Sequence, residues 1–189
     1  MRLILATLAL AGAIGFIAGG RPSALASLKV RWTPAALIGL ALQLAPAPGP
    51  TWGLVLLFAS FVLLTGFAVV NVGARLPGFV LILLGVVMNF TVIGVNQGMP
   101  VSREALVASH QEKSLPILLE RPGAKHHLAG PDDRLMLLAD VIAVPPLEQV
   151  VSLGDILAYT GVVWLVVAGM RRREPLVAPK AAVPAEGAA

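Results

Sequence analysis

Residues 52–72 read WGLVLLFASFVLLTGFAVVNV, an uncharged stretch long enough, at about 1.5 Å per helical residue, to cross a hydrocarbon core of about 30 Å. It is continuously apolar with no period-two alternation, which points to a membrane-spanning helix and away from a barrel strand. Trp52 opens the stretch, at the membrane–water boundary where an amphipathic ring is favoured. Four further apolar runs flank it. Residues 3–18 end at Gly19-Gly20-Arg21-Pro22, and residues 33–47 begin beside Trp32 and Pro34 and close in Pro46 and Pro48. Residues 77–96 follow Arg75, and residues 154–170 end at Arg171-Arg172-Arg173. The run at 33–47 is short, so it spans with help from bilayer thinning or flanking residues, or is re-entrant.

Composition agrees with this reading. Hydrophobic residues make up 57% and charged residues 13% of the 189, and the mean hydropathy is +0.86, so lipid and not water is the main solvent. The expected fold is all-α: a polytopic transmembrane bundle of about five spans forming one domain over residues 1–173, followed by a disordered cytoplasmic tail at 174–189. For the first run a cleavable signal peptide is the competing reading, because Arg2 precedes it and Ala24-Leu25-Ala26 resembles a small-residue cleavage site. The chain has no cysteine, which excludes disulfides, thiolate metal sites and a cysteine nucleophile. The net charge of +4 does not indicate nucleic acid, since the basic residues lie beside membrane segments and not in a stripe interleaved with aromatics.

Lys and Arg in short connections set orientation. Arg21, Lys29, Arg31, Arg75 and Arg171 to Arg173 fall in connections that belong on one side. The solution that places them in the cytoplasm has the N-terminus outside and the C-terminus inside. It also places the polar segment 97–149 outside, and that segment holds most of the acids and all three histidines. Within it, residues 133–143 are expected to form a short helix on or dipping into the membrane surface, broken by Pro145-Pro146. Asp132 and Asp133, after Pro131, are read as its caps.

Two carboxylates carry the sharpest chemical hypothesis. Asp140 and Asp155 flank the Pro-Pro break, and if they converge at the outer boundary, burial and mutual repulsion let them share a proton. An aspartyl hydrolase needs such a pair, one carboxylate activating water and the other protonating the leaving group. A plainer account also fits: Ser152-x-x-Asp155 is a helix-start pattern in which serine caps and aspartate favours the positive end of the dipole. Asn89 and Asn96, seven residues apart, share a helical face and point into the bundle, either bonding helices together or lining a polar pocket with Gln97. Lys125 and His126 are candidates to pair with Asp140, Asp155 or a lipid phosphate. His126 and His127 are adjacent and no His-x-x-x-His spacing occurs, so no zinc site is expected, and nothing calls for a cofactor.

Leu138-Ala139-Asp140-Val141-Ile142, with Ser152-Leu153-Gly154-Asp155 and Gly161, resembles the two C-terminal motifs of prolipoprotein signal peptidases. Those motifs read Val-x-Asp-Phe, then Asn-Ile-Ala-Asp with a glycine six residues on. The resemblance covers about 30 residues and departs from the pattern at Ser152 and Gly154, in the short interval between the aspartates and in the fifth apolar run. A longer resemblance runs from the third apolar run to the fifth, to a bacterial membrane family known as domain of unknown function 5317. It is carried by Met88-Asn89, Asn96-Gln97-Gly98-Met99-Pro100-Val101, Lys125-His126, Arg134-Leu135, Asp140 and Ser152-x-Gly154-Asp155. That likeness implies a bacterial inner-membrane protein with a shared polar site and no assigned activity.

Two functions follow as expectations. One is a binding protein for membrane lipid, an apolar or lipid-linked ligand or a partner, with a pocket of Asn89, Asn96, Gln97, Lys125, His126, Ser152, Asp140 and Asp155. The other is an aspartyl hydrolase with Asp140 and Asp155 as its catalytic pair.

Overall fold

The computed structural model describes residues 2–120 and 125–172; the expected tail at 174–189 lies outside the described residues. Five helices make the body: α1 (Arg2–Ile17), α2 (Thr33–Leu44), α3 (Pro50–Gly73), α4 (Phe79–Asn96) and, after the polar segment, the helix Leu153–Met170. The polar segment contributes β1 (Met99–Val101), α5 (Arg103–Ala108), α6 (Leu115–Glu120), β2 (His126–Leu128), β3 (Ile142–Val144) and β4 (Gln149–Val151). The last helix is therefore α7. Of these, α3, α4 and α7 are long and apolar enough to cross a membrane, whereas α1 and α2 are shorter apolar helices. Large hydrophobic side chains stand outward on the bundle, among them Leu5, Phe16, Val62 and Trp164, each more than half exposed. A surface of this kind is stable against acyl chains and not against water.

The tightest packing joins α4 to α7. A side chain at Gly85 would collide with the Gly154 carbonyl, and one at Gly78 would collide with the Gly161 carbonyl. The two pairs lie two turns apart and run antiparallel, so four glycines let two backbones meet where van der Waals contact replaces the missing hydrophobic drive. Gly161, which sequence resemblance links to a catalytic motif, is thus engaged in helix packing. α3 joins this pair through Phe61 and Phe90, stacked with centroids 5.6 Å apart. The buried cluster of Leu57, Phe61, Val92 and Ile93 extends upward to Met99 and Ala139 of the polar segment.

Contacts at the two ends fix the direction of each helix. Arg2 at the start of α1 pairs with Glu148 of the polar segment. At the opposite end the Arg21 amide donates to the Met170 carbonyl at 2.8 Å. The end of α2 lies under Lys125, whose Nζ donates to the carbonyls of Leu42, Gln43 and Ala45 at 3.0, 2.5 and 3.1 Å. Successive long helices therefore alternate in direction.

The polar segment differs from the single helix expected over 133–143. Only one 3-10 turn forms there, Met136–Leu138, and the chain then extends into β3. The reason is long-range pairing. The Asp140 amide donates to the Pro100 carbonyl at 3.1 Å and its carbonyl accepts from the Ser102 amide at 2.9 Å, a bridge beside β1 that a helix at 140 would forbid. On its other edge β1 pairs in parallel with β2, Met99 opposite His126 and Val101 opposite Leu128. Pro145–Leu147 forms a 3-10 turn joining antiparallel β3 and β4. A hairpin, not a simple turn, thus leads from Asp140 to α7. With no helix to cap, Asp133 instead accepts from the Gly130 amide at 2.8 Å and faces His127 Nε2 at 2.9 Å.

Replacing Gly85 by valine is expected to destabilise the bundle by about 1–3 kcal/mol or more through overpacking. Gly94→Ala, on the same helix but facing open space, is expected to be neutral or slightly stabilising. Unfolding of the purified protein in mixed micelles compares the two, and equal stability of both variants would refute the contact described.

Candidate functional site

α7 begins inside a hydrogen-bonded box. Ser152 Oγ accepts from the Asp155 amide at 3.0 Å, and Asp155 Oδ2 accepts from the Ser152 amide at 3.2 Å. The helix thereby satisfies two otherwise orphaned donors within its own first turn. Asn89 reaches across from α4 and closes the arrangement. Its Nδ2 donates to Asp155 Oδ1 at 2.7 Å, and its Oδ1 accepts from Ser152 Oγ at 2.8 Å. Gly154 permits this approach, because a side chain there would strike the Asn89 amide. Both the plain capping account of Asp155 and the inward orientation of Asn89 are thus realised in one cluster.

Asp140 lies beside that cluster in a different state. Its residue is only 7% exposed, and Oδ1 has no hydrogen-bond partner among the described residues. Oδ2 is 3.9 Å from His126 Nε2, too far for a hydrogen bond, and the His126 side chain is 55% exposed. Burial pushes the Asp140 carboxyl up to about 8, and the neighbouring Asp155 charge adds to the shift. Near neutral pH Asp140 is thus largely a neutral acid, able to donate a hydrogen bond as well as accept one.

The remaining residues singled out from sequence lie elsewhere. Asn96 uses its amide as a surrogate peptide group: Oδ1 accepts from the Arg134 amide at 2.8 Å, and Nδ2 donates to the carbonyls of Arg134 and Val92 at 2.9 and 3.0 Å. Gln97 ends α4 with left-handed φ of 56° and lines two surface grooves. Lys125 faces neither aspartate, since the three carbonyls ending α2 take up its ammonium. The histidines separate because successive strand residues face opposite ways: His126 lies toward Asp140, and His127 is paired with Asp133.

Asn71 is a structural polar residue that sequence reasoning missed. Fully buried at the far end of α3, it accepts from the Arg31 amide at 2.9 Å and donates to the Arg31 and Phe67 carbonyls, both at 2.8 Å. The available signal was an amide inside the run at 52–72, where the rule applied to Asn89 holds equally. Among the described residues no group of three or more metal-ligating side chains forms.

Together these features define a mostly helical protein with three helices long and apolar enough to cross a membrane and a small polar segment seated over the junction of two glycine-packed helices. Residues 27–167 match the family of unknown function DUF5317, and the chain belongs to that family. No functionally curated protein and no solved structure matches it.

The raised Asp140 carboxyl predicts a pH dependence of stability. Its value rises from 3.8 to about 8 on folding, so across that window the folded chain retains a proton that the unfolded chain has released. The stabilisation is full below about pH 4 and is lost as pH rises through about 8. Asp140→Asn, which keeps the shape but cannot ionise, is expected to flatten this decline. Melting temperatures of both proteins between about pH 5 and pH 9 measure it, and identical slopes would show that Asp140 does not titrate as described.

Proposed function

We propose that this chain is a multi-pass protein of the bacterial inner membrane with five spans, its N-terminus outside and its C-terminus in the cytoplasm. Alternating helix directions support five crossings, and the basic residues at the ends opposite the polar segment support the orientation. On its outer face it binds an amphiphile, a membrane lipid or lipid-linked molecule, at Asp140, with Asp155, Asn89, Ser152 and His126 around it. The observation that carries this reading is the Asp140 carboxyl, buried yet with one oxygen lacking a hydrogen-bond partner among the described residues. An ionisable group kept in such a place at the edge of an apolar bundle marks a functional site. Two carboxyls against one imidazole favour a head group that donates hydrogen bonds, such as an ammonium or hydroxyl, over an anionic one.

A second reading, aspartyl hydrolysis, draws on the unlike surroundings of the two carboxyls. Asp155 accepts hydrogen bonds on both oxygens and Asp140 favours its neutral acid form, the kind of division an acid and a base require.

The absence of native cysteine makes sidedness directly testable. A His126→Cys variant is expected to react with an impermeant maleimide in intact cells, and Arg172→Cys only after permeabilisation; the reverse pattern sinks the proposed orientation. For binding, native mass spectrometry of the purified protein should retain phosphatidylethanolamine in preference to phosphatidylglycerol, with the preference lost in Asp140→Asn. Equal retention by both proteins refutes the head-group site. Turnover of lipoprotein precursors by the wild type, undiminished in Asp140→Asn and Asp155→Asn, would remove the hydrolytic pair.

A further inference from the structure

Two grooves meet at Gln97. The lower, about 580 Å³, is lined by Pro50, Thr51, Leu54, Val55 and Phe58 from the first turns of α3. The upper, about 450 Å³, is walled by Leu118 and Leu119 of α6 and by Leu128 and Ala129 at the end of β2. Gln97 borders both, so the grooves adjoin at one side chain. The lower groove belongs to a helix of membrane-crossing length, beside Trp52, which is 58% exposed and suited to the interface. The upper groove lies within the polar segment and sets Leu118, Leu119 and Leu128 beside Asn96, Gln97 and His127, and Leu119 is 56% exposed. Leucine walls standing beyond the end of a membrane-length helix are costly against water unless something apolar covers them.

We infer that the joined grooves seat one acyl chain of a membrane phospholipid, drawn from the bilayer along the start of α3 and up past Gln97 against Leu118, Leu119 and Leu128. The occupant follows from continuity: the lower groove opens on a helix surface that acyl chains already cover, so a chain slides in without crossing water. The upper groove shields the part of that chain lifted past the interface. This seat is separate from the Asp140 cluster, because β2 turns His126 toward Asp140 while His127 lines the upper groove.

The test uses the full chain in nanodiscs doped with a phospholipid carrying a diazirine near its acyl terminus, followed by irradiation and peptide mapping. Adducts are expected on Leu118, Leu119 and Leu128 as well as on the exposed α3 surface at Val55. Ala129→Phe, which fills the upper groove, should cause a several-fold loss of the adducts on Leu118 and Leu119 while sparing Val55. Leu119→Trp, at an exposed position, should do the same for Leu128 should the first variant fold poorly. Gly94→Ala, which faces open space and lines neither groove, should leave all adducts unchanged, and labelling by lipid of either leaflet keeps the outcome independent of orientation. Adducts confined to α3, or undiminished in both filled variants, would overturn the inference. Disulfide-linked dimers of a Leu119→Cys variant without upper-groove adducts would assign the surface to a second copy and overturn it equally.

Discussion

The close approach of α4 and α7 is the constraint on which the other features depend. Two helices in an apolar medium gain little from burying hydrocarbon against each other, so their association rests on backbone contact and on polar groups with no better partner. Gly78, Gly85, Gly154 and Gly161 supply the contact, and Asn89 supplies the polar link to Ser152 and Asp155. Neither works alone. Without glycine at 154 the Asn89 amide could not reach the cap, and without Asn89 Asp155 would lose a hydrogen bond at the edge of a bundle that has little water to offer.

The same accounting governs the ends of the other helices. Asn71 and Asn96 sit near the C-terminal ends of consecutive antiparallel helices, and each imitates a peptide group for one residue of the adjoining loop, Arg31 in one case and Arg134 in the other. Lys125 does related work from a distance, placing its ammonium on three carbonyls that end α2. A short helix such as α2 has few backbone bonds relative to its orphaned carbonyls, so a cation at its C-terminus matters more than at a long helix. The Asn96 and Lys125 contacts dock the polar segment onto the bundle and hold β1 over its end.

The apolar runs and the Ser152-x-x-Asp155 start of α7 were legible because each is a local pattern: hydropathy over about 20 residues and a cap over one turn. The neighbourhood of Asp140 was not. Residues 133–143 carry an apolar composition that suits a surface helix, but their conformation is decided by Pro100 and Ser102, whose backbone groups pair with Asp140 across some forty residues of chain. Lys125 failed for the same reason, since its partners lie on a helix end eighty residues earlier. Asn89 was legible as an inward amide while its partners were not, because periodicity assigns a face and not the residue met there. The same rule assigns Asn71 an inward face, although the surrounding run at 52–72 gives no sign of its partner Arg31.

Asp140 and Asp155 differ in how much of each the fold requires. Asp155 is accounted for by its cap: both oxygens are engaged, and alanine there would lose two hydrogen bonds at the head of α7. Asp140 contributes to the fold through its backbone alone, with the amide and carbonyl fastened to β1. Alanine or asparagine would make the same two bonds without burying a carboxyl. Its side chain instead raises the free energy of the folded state as pH increases, and among the described residues it leaves one oxygen bare and receives no ion pair within hydrogen-bond distance. A group that stability alone would replace, held where two helices meet the edge of the β1–β2 pair, is where the chemistry of this protein is to be sought.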